Sequence, residues 1–298
     1  MIKFLMTMLL ATASLPGLAA LQIFATVPEW GALAREIGGD KVSVFTATTA
    51  LQDPHRIQAR PSLLAQARRA DLVVATGADL EVGWLPLVLR DSGNANIQPG
   101  RPGYFEAARF VTMLAVPVVL DRSQGDIHAA GNPHVQLDPR NLFRIGEALA
   151  LRLGEIDPPN AQAYLAGYQA FAGKWQAAIA RWEKEALPLR GVPVLVHHDS
   201  FVYLANWLGF RTTGTLEPRP GVEPTSGQLS SLVARQQSVP AKMVLRTAYQ
   251  NDGPSLWIAD KAGIPAVLLP FTVGGTAEAG DLTGLFDDTV RRLLKGLR

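Results

Sequence analysis

The sequence predicts an α/β protein of two (β/α) lobes with mainly parallel sheets, joined by one long rigid backbone helix. Three observations carry this. Strand-like and helix-like segments alternate through both halves of the chain, the order that builds a parallel sheet covered by helices. Between the halves, residues 160–185 contain no proline and only Gly167 and Gly173, with Tyr164, Tyr168, Phe171, Trp175, Ile179 and Trp182 recurring at helical spacing. The length left after the first twenty residues suits one large or two medium domains.

The elements follow in order. Residues 1–20 read as a secretory leader: Lys3 supplies the positive start, 4–15 an apolar core too short to span a membrane, and Gly17-Leu18-Ala19-Ala20 small residues for cleavage. The expected organisation is leader 1–20, N-terminal lobe 21–157, linking helix 158–187 and C-terminal lobe 188–298. In the first lobe, 21–26, 41–46 and 71–76 read as strands. Residues 29–37 read as a helix ended by Gly38-Gly39, and 61–69 as a helix with Pro61 in its favoured first turn. Residues 82–90 read as a third helix, although Pro86 falls inside it. Asp157-Pro158-Pro159 starts the linking helix and Pro188 stops it; about 26 residues at 1.5 Å each make it roughly 39 Å long. Its aromatic stripe reads as core packing. In the second lobe 192–196, 210–215, 243–246 and 266–269 read as strands, and 200–208, 228–237, 254–262 and 282–294 as helices.

Composition excludes some function classes. Twenty-eight Lys and Arg balance twenty-six Asp and Glu, interspersed along the chain, so there is no basic stripe of the kind that holds nucleic acid. No run after the leader approaches the length of a membrane-spanning helix. There is no cysteine; disulfides are excluded, and no residue after the leader is available to take a lipid. A free periplasmic protein is expected.

The chemistry concentrates in histidine. All five lie in three motifs: Leu-Gln-Asp-Pro-His at 51–55, Asp-Ile-His-Ala-Ala-Gly-Asn-Pro-His at 126–134, and His197-His198-Asp199. Neutral imidazole is the commonest metal ligand, and several from distant segments make a nitrogen-rich site that suits zinc. His55 falls in a loop after strand 41–46 and His197-His198 at the end of strand 192–196, at the carboxyl ends of strands where open α/β sheets bind ligands. Successive residues of an extended segment point to opposite sides, so at most one of His197 and His198 faces the cleft. Asp138 either caps the next helix or accepts from the His134 ring. Asp199 reads as the cap of the helix from Ser200. His128, in a loop between Gly125 and Gly131, is either an accessory ligand or a solvated loop residue.

These residues resemble the zinc/manganese solute-binding proteins of ABC transporters. The matching pieces are Asp53-Pro54-His55 with Arg60-Pro61-Ser62; 70–74 with Gly77 and 81–85; Gly131-Asn132-Pro133-His134 with Leu137-Asp138-Pro139; and 198–203 with Leu208-Gly209. They run almost the full length of the mature chain. The resemblance implies two lobes on a backbone helix, and His55, His134 and His198 as ligands with His197 facing away. Many relatives add an Asp from the loop after the last parallel strand. Here that loop runs Leu269-Pro270-Phe271-Thr272-Val273-Gly274-Gly275, with no carboxylate in that place. Asp281, farther along, either folds back as the fourth metal ligand or caps the last helix; water or Glu81 are the other candidates. The cargo implied is Zn2+, with Mn2+ the alternative, and the partners are an ABC permease and a periplasmic metallochaperone, with the chain a monomer. The competing readings are a secreted zinc hydrolase, against which stands the lack of a His-Glu-x-x-His motif, and a two-lobed binder of another solute.

Overall fold

The computed structural model describes residues 19–118, 125 and 128–298. The expected leader lies outside these except for Ala19 and Ala20. Among the described residues no helix is long and apolar enough to cross a membrane.

The first lobe runs β1 (Leu21–Ala25), α1 (Pro28–Gly38), β2 (Val42–Thr46), α2 (Pro61–Arg69), β3 (Leu72–Ala75), α3 (Leu85–Ser92) and β4 (Tyr104–Glu106). Its strands lie in the order β2-β1-β3-β4, all parallel. Then come α4 (Pro139–Ile156) and the long α5 (Ala161–Glu185). The second lobe runs β5 (Pro193–Val196), α6 (Val202–Leu208), β6 (Arg211–Thr215), α7 (Ser226–Arg235), β7 (Val244–Thr247), α8 (Gly253–Ala262), β8 (Ala266–Leu269) and α9 (Leu282–Gly296). Its order, β6-β5-β7-β8, is again parallel throughout and repeats that of the first sheet. Two sheets of one topology each turn the carboxyl ends of their strands, where the connecting loops gather, toward a shared crevice.

Local chemistry accounts for most boundaries. Proline occupies the first turn of α1, α2, α3, α4 and α8, where its missing N–H removes no hydrogen bond. All four residues of β3 are buried, as expected of a strand covered on both faces. Thr225 and Gln228 form a reciprocal capping box on α7. Two expectations are corrected, and one strand was not anticipated. The helix expected over 82–90 starts only at Leu85, because Pro86 must sit in the first turn. The helix expected from Ser200 starts at Val202, and Asp199 does not cap it. The edge strand β4 has only three residues, too few for an alternating pattern to show in the sequence.

Helix α5, of 25 residues, is the spine. Its buried face (Tyr164, Tyr168, Phe171, Trp175 and Trp182) packs on α4 and α1 of the first lobe and α9 of the second. Trp182 and Phe286 of α9 meet with ring centroids 5.1 Å apart, and Trp175 lies edge-on to both. The indole N–H groups are satisfied: Trp175 donates to the Pro139 carbonyl at 2.8 Å and Trp182 to Asp287 at 2.6 Å. Gly167 permits the close packing, because a Cβ there would lie 2.1 Å from the carbonyl oxygen of Ile37. One continuous core therefore includes side chains of both lobes and the spine.

Away from the spine the lobes are pinned by hydrogen bonds. Thr272, in the loop after β8, donates to the buried carboxylate of Glu29 on α1. Asn132 donates to the Asp199 carbonyl at 2.7 Å. The Tyr203 hydroxyl donates to the Asn132 carbonyl at 3.0 Å and accepts from the Leu114 amide at 3.1 Å.

Candidate metal centre

Each histidine of the crevice is placed by its own short-range chemistry. His55 follows β2 in a loop whose Pro54 carbonyl accepts from the Trp84 indole at 3.0 Å. The Asp53 carboxylate accepts the His55 backbone N–H at 3.0 Å and lies 2.8 Å from Nδ1. Burial works to raise the Asp53 pKa, but its hydrogen bonds to His55 and the charges of His55 and Arg56 hold it below the usual carboxylate range. An ionised Asp53 fixes the proton on Nδ1 and turns Nε2 into the crevice as a lone-pair donor; that atom is buried and has no hydrogen-bond partner.

His198, just beyond β5, is built the same way. Its Nδ1 lies 2.7 Å from Glu217, whose same oxygen accepts the Gly221 amide at 2.7 Å. His134 differs. Its backbone is held by the Asn132 side chain at 3.1 Å, its ring is 1 % exposed, and neither ring nitrogen has a hydrogen-bond partner. Burial, then the neighbouring His55, His198 and His128, push its pKa well below the ordinary histidine value, so it is a neutral donor at neutral pH.

The three rings converge: one ligand atom each from His55, His134 and His198 lies within 4.8 Å of the others. Their ring centroids are 5.4 Å (His55 to His134), 5.9 Å (His55 to His198) and 5.7 Å (His134 to His198) apart. Behind them, Asp53 and Glu217 place two carboxylates whose charge offsets that of a divalent cation, easing the desolvation that burying an ion demands. The cleft beside the group encloses about 170 Å³ and is lined by residues of both lobes, among them His128, Asn132, His134, His198 and Asp199.

The other expected participants lie elsewhere. Asp281 is not brought to the group: it is the cap of α9, accepting the Gly284 amide at 2.7 Å. The reason is local, since an aspartate three residues before a free helix amide is satisfied there without any folding back of the loop. Asp281→Ala is accordingly expected to cost about 1 kcal/mol of stability and leave zinc affinity unchanged, measured by urea unfolding and chelator competition on the same preparation. Glu81 is buried and already bonded to the Thr26 hydroxyl and the Thr76 and Gly77 amides. Asp138 caps α4 and pairs with Arg140, which decides between its two expected roles. His197 is buried outside the group. Glu217 was not anticipated; its signal is a carboxylate two residues past β6, the strand beside β5.

The family model for zinc-uptake complex component A, periplasmic, matches residues 23–296. The chain belongs to this family. The metal ABC transporter substrate-binding lipoprotein SloC of Streptococcus mutans is 23 % identical over 296 residues, covering 94 % of this chain and 94 % of that protein. The manganese-binding lipoprotein MntA of Halalkalibacterium halodurans is 25 % identical over 236 residues, 78 % of this chain and 73 % of that protein. A crystal structure of ZnuA superposes with a TM-score of 0.77 at 22 % identity, over 94 % of this chain and 100 % of that one. FpvC of P. aeruginosa in complex with Ni2+ gives 0.74 at 21 %, over 93 % and 97 %. These structures share the fold. Membership places the chain among substrate-binding proteins and not among enzymes, which removes the hydrolase reading.

Proposed function

We propose that the chain is an exported receptor that binds a divalent metal ion in its crevice, zinc in preference to manganese, and hands it to the membrane permease of an ABC importer. The observation that carries this reading is the convergence of His55, His134 and His198 from both lobes, with buried, unpartnered nitrogens on His55 and His134. Nitrogen donors favour zinc, whereas manganese favours carboxylate and water oxygens, and no carboxylate belongs to the group of possible ligand atoms among the described residues. Relatives named for manganese make the metal the point to test. The stiff spine and the hydrogen bonds between lobes favour release through small shifts of the ligand loops over a wide hinge motion. Calorimetric titration of the metal-free protein with zinc and with manganese checks the reading. Binding of one zinc per chain, at least 100-fold tighter than manganese, is expected; equal affinities, or no zinc binding, would overturn it.

A further inference from the structure

The three ligand rings are not held alike. The Nδ1 of His55 lies 2.8 Å from Asp53, and that of His198 lies 2.7 Å from Glu217. Neither ring nitrogen of His134 has a hydrogen-bond partner among the described residues. A ligating imidazole is ordinarily aimed by a hydrogen bond from its second nitrogen. For His134, packing takes the place of that bond.

The ring packed on it is that of Phe271, edge-on, with centroids 5.3 Å apart. His134 belongs to the first lobe, and Phe271 to the loop after β8 in the second. Tyr249 backs Phe271 at 5.5 Å, and Phe271 is buried. Its backbone is strained to reach this place. The φ of Phe271 is +68°, and across it the Thr272 amide donates to the Pro270 carbonyl at 2.8 Å, the disfavoured form of a γ-turn. Such a conformation in a non-glycine residue persists only where the surrounding structure enforces it. Two contacts do so. The Thr272 hydroxyl donates to Glu29, in the first turn of α1, and both residues are buried. Behind the turn the Gly275 amide donates to the Thr272 carbonyl at 3.1 Å, and a Cβ on Gly275 would lie 1.9 Å from the Pro270 carbonyl oxygen. The first contact joins the lobes. It seats the second-lobe loop on the first lobe one residue away from the ring that packs on His134.

We propose that Phe271 is the positioning residue for His134, and that the Thr272–Glu29 hydrogen bond, by holding Phe271 in its strained turn, sets how long the metal stays bound. This rests on the reading that His134 is a ligand. His55 and His198 are aimed by carboxylates of their own lobes, so they keep their aim when the lobes shift. His134 is aimed from across the crevice. A small displacement of the 270–275 loop frees its ring, so a movement between the lobes releases the ion through His134.

Stopped-flow removal of zinc by a chromophoric chelator, with equilibrium competition on the same samples, tests it. Phe271→Gly removes the ring and relieves the backbone. Its zinc affinity is expected to fall about tenfold to a hundredfold, through faster dissociation at an unchanged association rate. Thr272→Val keeps the side-chain shape but loses the donor, and is expected to speed dissociation by a smaller factor. Thr272→Ser restores the hydroxyl and with it the slow dissociation. Should Phe271→Gly fail to fold, the two Thr272 variants decide alone. A wild-type dissociation rate in either Phe271→Gly or Thr272→Val overturns the proposal, as does a loss of affinity that lies in the association rate, or a Thr272→Ser protein as fast as Thr272→Val. His134→Ala separates this from the reading beneath it. If His134→Ala loses zinc while the other variants match the wild type, only the role of Phe271 has failed. If His134→Ala binds zinc normally, the reading of the centre fails with it.

Discussion

Replacing His134 with alanine is expected to lower zinc affinity at least a thousandfold, about 4 kcal/mol, and to abolish zinc-dependent stabilisation. The ring is buried, neither nitrogen has a partner, and its pKa is pushed well below normal by burial first and by the neighbouring histidines second. A metal ligand must be deprotonated, and this one is already neutral. The same features are costly without metal, since a buried polar group left unbonded costs about 1–3 kcal/mol. Removing it relieves that penalty and leaves a small cavity, so the metal-free variant should unfold within about 1 kcal/mol of the metal-free wild type. Zinc at a thousand times its dissociation constant stabilises the wild type by about 4 kcal/mol; in the variant this gain should vanish. Thermal unfolding with and without zinc, beside chelator competition, reads both effects. Retention of the zinc-dependent shift in His134→Ala would mean that the ion is held elsewhere.

The second large effect is expected at Glu29. Its pKa is raised from 4.5 to about 7 by burial, with the charge of Glu81 adding to the shift and the Thr272 hydroxyl and its own backbone N–H opposing it. A raised folded-state value means that the protonated form is favoured by folding. The associated stability is complete below pH 4.5 and is lost as pH rises through about 7. By pH 8 the loss approaches about 3 kcal/mol. Glu29→Gln keeps an acceptor for Thr272 and cannot ionise. The variant should match the wild type near pH 4.5 and exceed it by up to about 3 kcal/mol at pH 8. His134 contributes with the opposite sign: its depressed value gives stability present above the ordinary histidine pKa of 6.5 and lost as pH falls below it. The metal-free wild type should therefore weaken toward both acid and alkali, and the variant less steeply toward alkali, where the carboxyls of Glu81 and Asp199, whose pKa values burial also raises, remain. Urea unfolding across pH 5–8 measures this; parallel curves for the two proteins would show that Glu29 stays ionised in the fold.

Much of the architecture was legible because its signals are local. Pro61 sets the start of α2, and alternating strand and helix segments of the right length mark a parallel sheet covered by helices. The aromatic stripe from Tyr164 to Trp182 marked the spine, and its packing on both lobes follows from its spacing. The donors were legible as residue types, and the resemblance paired His55, His134 and His198, which the fold then brought within 4.8 Å of one another. Where the local signal was divided, so was the reading: Asp281 suited a cap or a ligand, and Asp138 a cap or a ring partner, and both are caps.

By itself the sequence determined an α/β chain of two lobes on a helical spine, with its metal-binding chemistry confined to histidine. Only the tertiary structure decided which groups stand behind and beside those histidines. Asp53 meets His55 through a two-residue turn, but Glu217 meets His198 only because β6 lies next to β5. Phe271 reaches His134, and His128 reaches His55, across loops whose course no periodicity records. Helix and strand tendencies act over a few residues, whereas the partners of a buried imidazole are set by sheet order and loop closure.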